Sequence, residues 1–143
     1  YYLNKNIKII IKTFKEIFLM IDFNNGEYVK LRQINNKDGL NATADFLIDG
    51  ESISYTFSTI RDMVIFTNKR IITINVQGLT GKKKDYTSLP FSKLQAFSIE
   101  TSGHFDLDSE LTLAYSGLGT IKLEFTGSTD ILEINKFISM NTL

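Results

Sequence analysis

Met63-Val64-Ile65-Phe66-Thr67-Asn68-Lys69-Arg70-Ile71-Ile72-Thr73-Ile74-Asn75-Val76 decides the fold class. Two short β-branched and aromatic runs flank the two-residue connection Asn68-Lys69, which reads as a hairpin. Upstream, Ile53, Tyr55 and Phe57 alternate with Ser52, Ser54, Thr56 and Ser58, the period-two pattern of a half-buried strand. Downstream, the glycine loop Gln77-Gly78-Leu79-Thr80-Gly81 leads into a strand over Lys84–Leu89. Pro90 stops that strand, because it has no N–H to donate. Leu94–Thr101 is the next strand. Phe105, Leu107, Leu111, Leu113 and Tyr115 then share one face of another, with Asp106, Asp108 and Glu110 on its opposite face. Ser116-Gly117-Leu118-Gly119 turns the chain into Thr120–Thr126. The period then lengthens: Ile131, Ile134, Phe137 and Ile138 form a helical stripe. Asp130 stands just before it, and Glu133 three residues later completes capping-box spacing.

This pattern of about six or seven antiparallel strands ending in a helix predicts a mainly β, strongly bent sandwich or open barrel with its end covered by the helix. The chain has 143 residues, the size of one domain, and 43% hydrophobic residues exclude wholesale disorder. Sixteen basic and sixteen acidic residues cancel, which argues against nucleic acid as a partner. No Cys and one His remove disulfides, thiolate chemistry and the usual zinc ligand sets.

Before Ser52 the chain has a different texture. Ile7, Ile10, Phe14, Ile17 and Ile21 recur at helical spacing, with Lys8, Lys12 and Lys15 on another face. Lysines interrupt every apolar window long enough to cross a bilayer. Residues 1–19 use only eight residue types and lack an initial Met, which fits upstream sequence read in frame with Met20 as the start. A docked or coiled-coil helix and a membrane-surface helix are the other readings. Residues 22–50 are polar and turn-rich, with two short helices expected near Glu27–Ile34 and Leu40–Leu47.

Several stretches narrow the fold further. Ile60-Arg61-Asp62 running through Lys69-Arg70, Gln77-Gly78-Leu79-Thr80-Gly81-Lys82-Lys83, Ser98-Ile99-Glu100-Thr101 and Gly103-His104-Phe105-Asp106-Leu107-Asp108-Ser109-Glu110-Leu111 occur in that order, ahead of Thr129-Asp130-Ile131. Together they resemble the bacterial pleckstrin-homology-like family, long carried as a domain of unknown function, over about residues 45–143. The resemblance implies a pleckstrin-homology-like sheet of about seven strands capped by a C-terminal helix, no known catalysis, and symmetric homo-oligomers. The chain then divides into an amphipathic segment 1–21, a polar lead-in 22–50 and a pleckstrin-homology-like domain 51–143.

Two surfaces carry candidate chemistry. Gly81 precedes Lys82, Lys83 and Lys84, whose ammonium groups suit an anion or a lipid headgroup, with Arg61 near the first turn. The spaced basic pattern with which eukaryotic pleckstrin-homology domains hold phosphoinositides is missing. A solvated or subunit-facing turn is therefore the simpler reading, and weak or no binding to anionic membranes is expected. Asp106, Asp108 and Glu110 alternate along a strand, about 7 Å apart and without a tight turn, which favours a charged sheet face over a metal site. His104 lacks a recognisable catalytic companion, and neither Gly117-Leu118-Gly119 nor the Gly78–Lys83 run has nucleotide-loop spacing. Tyr55, Phe57, Phe66, Phe91, Phe97 and Phe105 read as core rings rather than a base-stacking platform.

The expectation is a cytoplasmic, non-enzymatic binding or scaffold module without a cofactor. It self-assembles by contact between Lys82, Lys83 and Lys84 and Asp106, Asp108 and Glu110, with a further protein as a second kind of partner. A peripheral module holding anionic headgroups through Lys82, Lys83 and Lys84 is the alternative.

Overall fold

The computed structural model describes residues 28–143. The expectations for residues 1–21, including the amphipathic stripe and the Met20 start, lie outside the described residues. The elements run β1 (Tyr28–Ile34), α1 (Asn36–Thr43), β2 (Ile53–Ser58), β3 (Met63–Thr67), β4 (Arg70–Gln77) and β5 (Lys83–Pro90). A 3-10 turn (Phe91–Lys93) leads to β6 (Leu94–Glu100), β7 (Ser109–Tyr115), β8 (Gly119–Phe125) and α2 (Ile131–Thr142).

The strands form one curled eight-stranded sheet in the order β5-β4-β3-β2-β1-β8-β7-β6. Two antiparallel meanders, β2 to β5 and β6 to β8, are joined through β1. Its first half runs parallel to β8, pairing Tyr28 with Leu123 and Leu31 with Phe125. Its second half runs antiparallel to β2, pairing Arg32 with Ser58 and Ile34 with Thr56. Between them Lys30 takes a left-handed φ of 56° and the register shifts, the mark of a bulge that bends a strand.

That bulge corrects the helix expected near Glu27–Ile34. Tyr28 and Leu31 are buried three residues apart because the extra residue resets the strand's phase, and the resulting spacing imitates a helix. The second expected helix begins four residues earlier than its apolar residues implied. Asn35 caps α1 by accepting a 2.8 Å hydrogen bond from the Lys37 N–H, so the cap and not Leu40 sets its start.

The main core lies inside the curl, where Phe57, Phe66, Leu111, Leu113, Leu123 and Phe125 are fully buried beneath Ile131, Ile134 and Ile138 of α2. Asp130 caps α2 through the Glu133 N–H at 3.1 Å, as the capping-box spacing predicts. A smaller core of Ile65, Ile72 and Ile74 lies on the outer face of β3 and β4 and packs against Ala42 and Leu47 from the α1 side. Here α1 rides so close to β2 that a Cβ at Gly39 would strike the Thr56 hydroxyl.

Glu51 and Arg70 clip the lead-in to the β3–β4 hairpin. The guanidinium donates Nε to Oε2 at 2.9 Å and Nη2 to Oε1 at 2.8 Å, and also reaches the Phe46 carbonyl and the Ser88 hydroxyl. The Glu51 side chain is fully buried, so its charge depends on this fork.

Candidate functional site

The two charged surfaces lie far apart in the strand order, the lysines at outer strand β5 and the acids in the loop after outer strand β6 and on its neighbour β7. β5 forms one outer strand and β6 the other, each paired on one side only among the described residues. Lys82 ends the β4–β5 loop, and Lys83 and Lys84 open β5, where they pair with Gln77 and Val76. All three side chains are exposed.

Arg61 belongs with this group. It lies in the β2–β3 turn, and its Nη2 donates to the Gly78 carbonyl of the β4–β5 loop at 2.6 Å. Asp62 beside it is turned inward and accepts the Val76 N–H at 2.9 Å. The neighbouring Asp85 accepts the Thr87 hydroxyl at 2.6 Å. The acids here serve the local backbone and side chains, and the cations are left facing solvent.

At the other edge the structure corrects the expected strand. β7 begins only at Ser109, so Asp106 and Asp108 stand in the β6–β7 loop and Glu110 alone is on the strand. The loop folds on itself: the Gly103 N–H donates to the Asp106 carbonyl at 2.7 Å, and the Asp106 carboxylate accepts the Asp108 N–H at 3.0 Å. Local Asp-to-backbone bonding of this kind competes with a strand ladder, which is why the alternation fails here. The acids consequently converge instead of spreading along a strand. With Glu100 and Glu124 they line a small cleft of about 160 Å3.

Burial first, and the Asp108 charge second, push the Glu124 carboxyl above its ordinary range, against a hydrogen bond from the Lys30 N–H. Glu110 is answered in part by Lys122 at 3.5 Å. Among the described residues no His, Cys, Asp or Glu group is arranged to hold a metal ion.

Phe105 and Leu107 share the correction. They lie in the loop, fully and mostly exposed, whereas Phe57, Phe66 and Phe91 are buried as core rings and Tyr55 and Phe97 are partly buried. His104 and Phe105 make an edge-to-face ring contact, with centroids 5.2 Å apart.

Sequence reasoning singled out neither Ile60 nor Leu79, both fully exposed at the tips of the two loops joined by Arg61. The available signal was local: an aliphatic residue inside a glycine loop, and another at a hairpin turn. Glu100 and Glu124 were also missed, since only the β6–β7 and β7–β8 pairings bring them near the loop acids.

A sheet of two meanders curled over one core and closed by a C-terminal helix defines a pleckstrin-homology-like module. The bacterial PH domain family model matches residues 22–142, and the chain belongs to that family. The uncharacterised protein YjqA of Bacillus subtilis (strain 168) is 40% identical over 98 residues, covering 67% of this chain and 78% of YjqA. YozO of the same organism, also uncharacterised, is 34% identical over 93 residues, covering 65% and 80%.

Among solved structures, a DUF1696-family protein with a pleckstrin-homology domain from Shewanella loihica PV-4 superposes with a TM-score of 0.72 at 36% identity, over 80% of this chain and 99% of that one. A pleckstrin-homology domain from Shewanella amazonensis SB2B gives 0.60 at 34% identity, over 84% and 93%. Among the described residues no helix is long and apolar enough to cross a membrane.

Proposed function

We propose that this chain is a cytoplasmic, non-enzymatic binding module whose copies assemble head to tail into a homo-oligomer that presents repeated surfaces to a protein partner. The observation that carries this reading is the separation of the lysines at the β5 edge from the acids of the β6–β7 loop and the start of β7. Lys83 and Lys84 open β5, while Asp106, Asp108 and Glu110 flank the far end of β6. Two unlike, complementary edges on one subunit make a heterologous contact, which closes into a ring when the rotation between copies permits. Each edge also leaves backbone groups available for strand addition. The charges orient and speed the encounter, and apolar contact supplies the affinity.

Light scattering on the full chain tests this. The wild type is expected above monomer mass. The triple substitution K82E/K83E/K84E weakens the oligomer, and adding D106K/D108K/E110K in the same chain partly restores it. A monomer at tens of micromolar, a range where functional assemblies of about 8 kcal/mol are mostly formed, rejects assembly. An oligomer indifferent to both charge sets keeps assembly and rejects the charge mechanism.

A further inference from the structure

We infer that a hollow at the C-terminal end of β5 binds a small organic acid, with its single carboxylate facing Lys69 and its apolar body lying against Ile48, Pro90 and Phe91. The hollow has a volume of about 420 Å3, inside the range of roughly 300–1,000 Å3 typical of small-molecule sites. Four stretches meet there: the lead-in before β2, the β3–β4 turn, the end of β5 with its 3-10 turn, and the last turn of α2. None of its lining residues belongs to the proposed assembly contact.

The walls are tied to one another. Asn68 accepts the Ser52 N–H at 2.9 Å and donates to the Gly50 carbonyl at 2.9 Å. The Phe91 N–H donates to the Lys69 carbonyl at 3.0 Å, which pins the 3-10 turn to the β3–β4 turn. The Ile48 N–H donates to Glu51 Oε1 at 3.2 Å, and Glu51 is itself held in the Arg70 fork. A ligand therefore meets walls already ordered, and little conformational freedom is lost on binding.

The free polar groups select the ligand's charge. Arg70 lines the hollow, but Glu51 neutralises it. Lys69 is exposed, and its ammonium has no partner among the described residues. The Ser88 hydroxyl accepts from Arg70 Nη1 at 3.0 Å, so its own proton is free to donate, and the exposed Ser92 hydroxyl stands near it. One uncompensated cation with hydroxyl donors matches one carboxylate. Ile48 is 60% exposed and, with Pro90 and Phe91, gives an apolar body a surface to cover.

Octanoate, octanamide and octylammonium share a tail and differ in charge, so two-dimensional amide NMR of the full chain titrated with each provides the test. Octanoate is expected to shift the Ile48, Lys69, Ser92 and Asn141 amides with a Kd of about 0.1–1 mM. Octanamide should bind about tenfold more weakly, and octylammonium should leave these amides in place. K69E should remove the advantage of octanoate over octanamide, whereas I48N should weaken both together. Lys69 is an exposed turn residue, and K69Q gives the same reading should K69E disturb the fold. Unmoved amides at about 10 mM octanoate overturn the proposal. An equal response to all three probes, or wild-type octanoate affinity in both Lys69 variants, overturns it as well.

Discussion

At Glu51 two opposing effects meet. Burial alone would raise its carboxyl, but hydrogen bonds from the Arg70 guanidinium, the Thr67 hydroxyl and the Ile48 N–H outweigh it, and the pKa lies below the ordinary 4.5. A lowered folded-state pKa means stability that is present above the unfolded value and lost as pH falls through the folded one. Chemical denaturation of the wild type is therefore expected to need progressively less denaturant as pH falls below about 4.5. R70A should cost about 3–5 kcal/mol near neutral pH, because it leaves the Glu51 charge buried without its partner. R70A/E51Q should recover part of that loss. An R70A midpoint equal to wild type would mean that water reaches Glu51 and the fork carries no stability.

The elements divide into those that local pattern specifies and those that pairing rearranges. The β3–β4 hairpin and α2 are legible because their apolar period, connection length and cap agree with one another. β1 is not, since its bulge at Lys30 belongs to the junction between two meanders and shifts the sequence period. The β6–β7 loop is misread for a related reason: alternating letters persist through Phe105–Asp108 while hydrogen bonds to Asp106 hold the backbone out of the ladder.

Packing also explains Gly39, which looks like a helix defect in isolation. The close approach of α1 to β2 leaves no room for a side chain between Gly39 and Thr56. G39A therefore gains helix propensity yet is expected to destabilise by about 1–3 kcal/mol, because overpacking pushes α1 away from the small core. A denaturant midpoint equal to or above the wild type would show that α1 can shift without loss.

At the scale of the whole molecule, zero net charge conceals a division between the lysines at the β5 edge and the acids of the β6–β7 loop and β7. If those charges chiefly steer docking, raising salt slows association of the proposed oligomer far more than it speeds dissociation, since screening shortens to about 8 Å at physiological ionic strength. Stopped-flow light scattering after dilution and remixing at several salt concentrations measures both rates. Salt-independent association would leave the charged edges without a steering role.

The sequence by itself determined the mainly β class, the helix that closes the core, and the family, because these rest on residue periods and local motifs that survive without knowing which strands meet. The positions of Lys82, Lys83 and Lys84 at a loop–strand junction were equally legible, being local. Only tertiary structure decided that β1 bridges the meanders, that Glu100 and Glu124 join the loop acids, and that Ile60 and Leu79 project from neighbouring tips. Each of these depends on strand pairing between residues far apart in sequence, and the free energy that selects a pairing comes from the completed core rather than from any one segment.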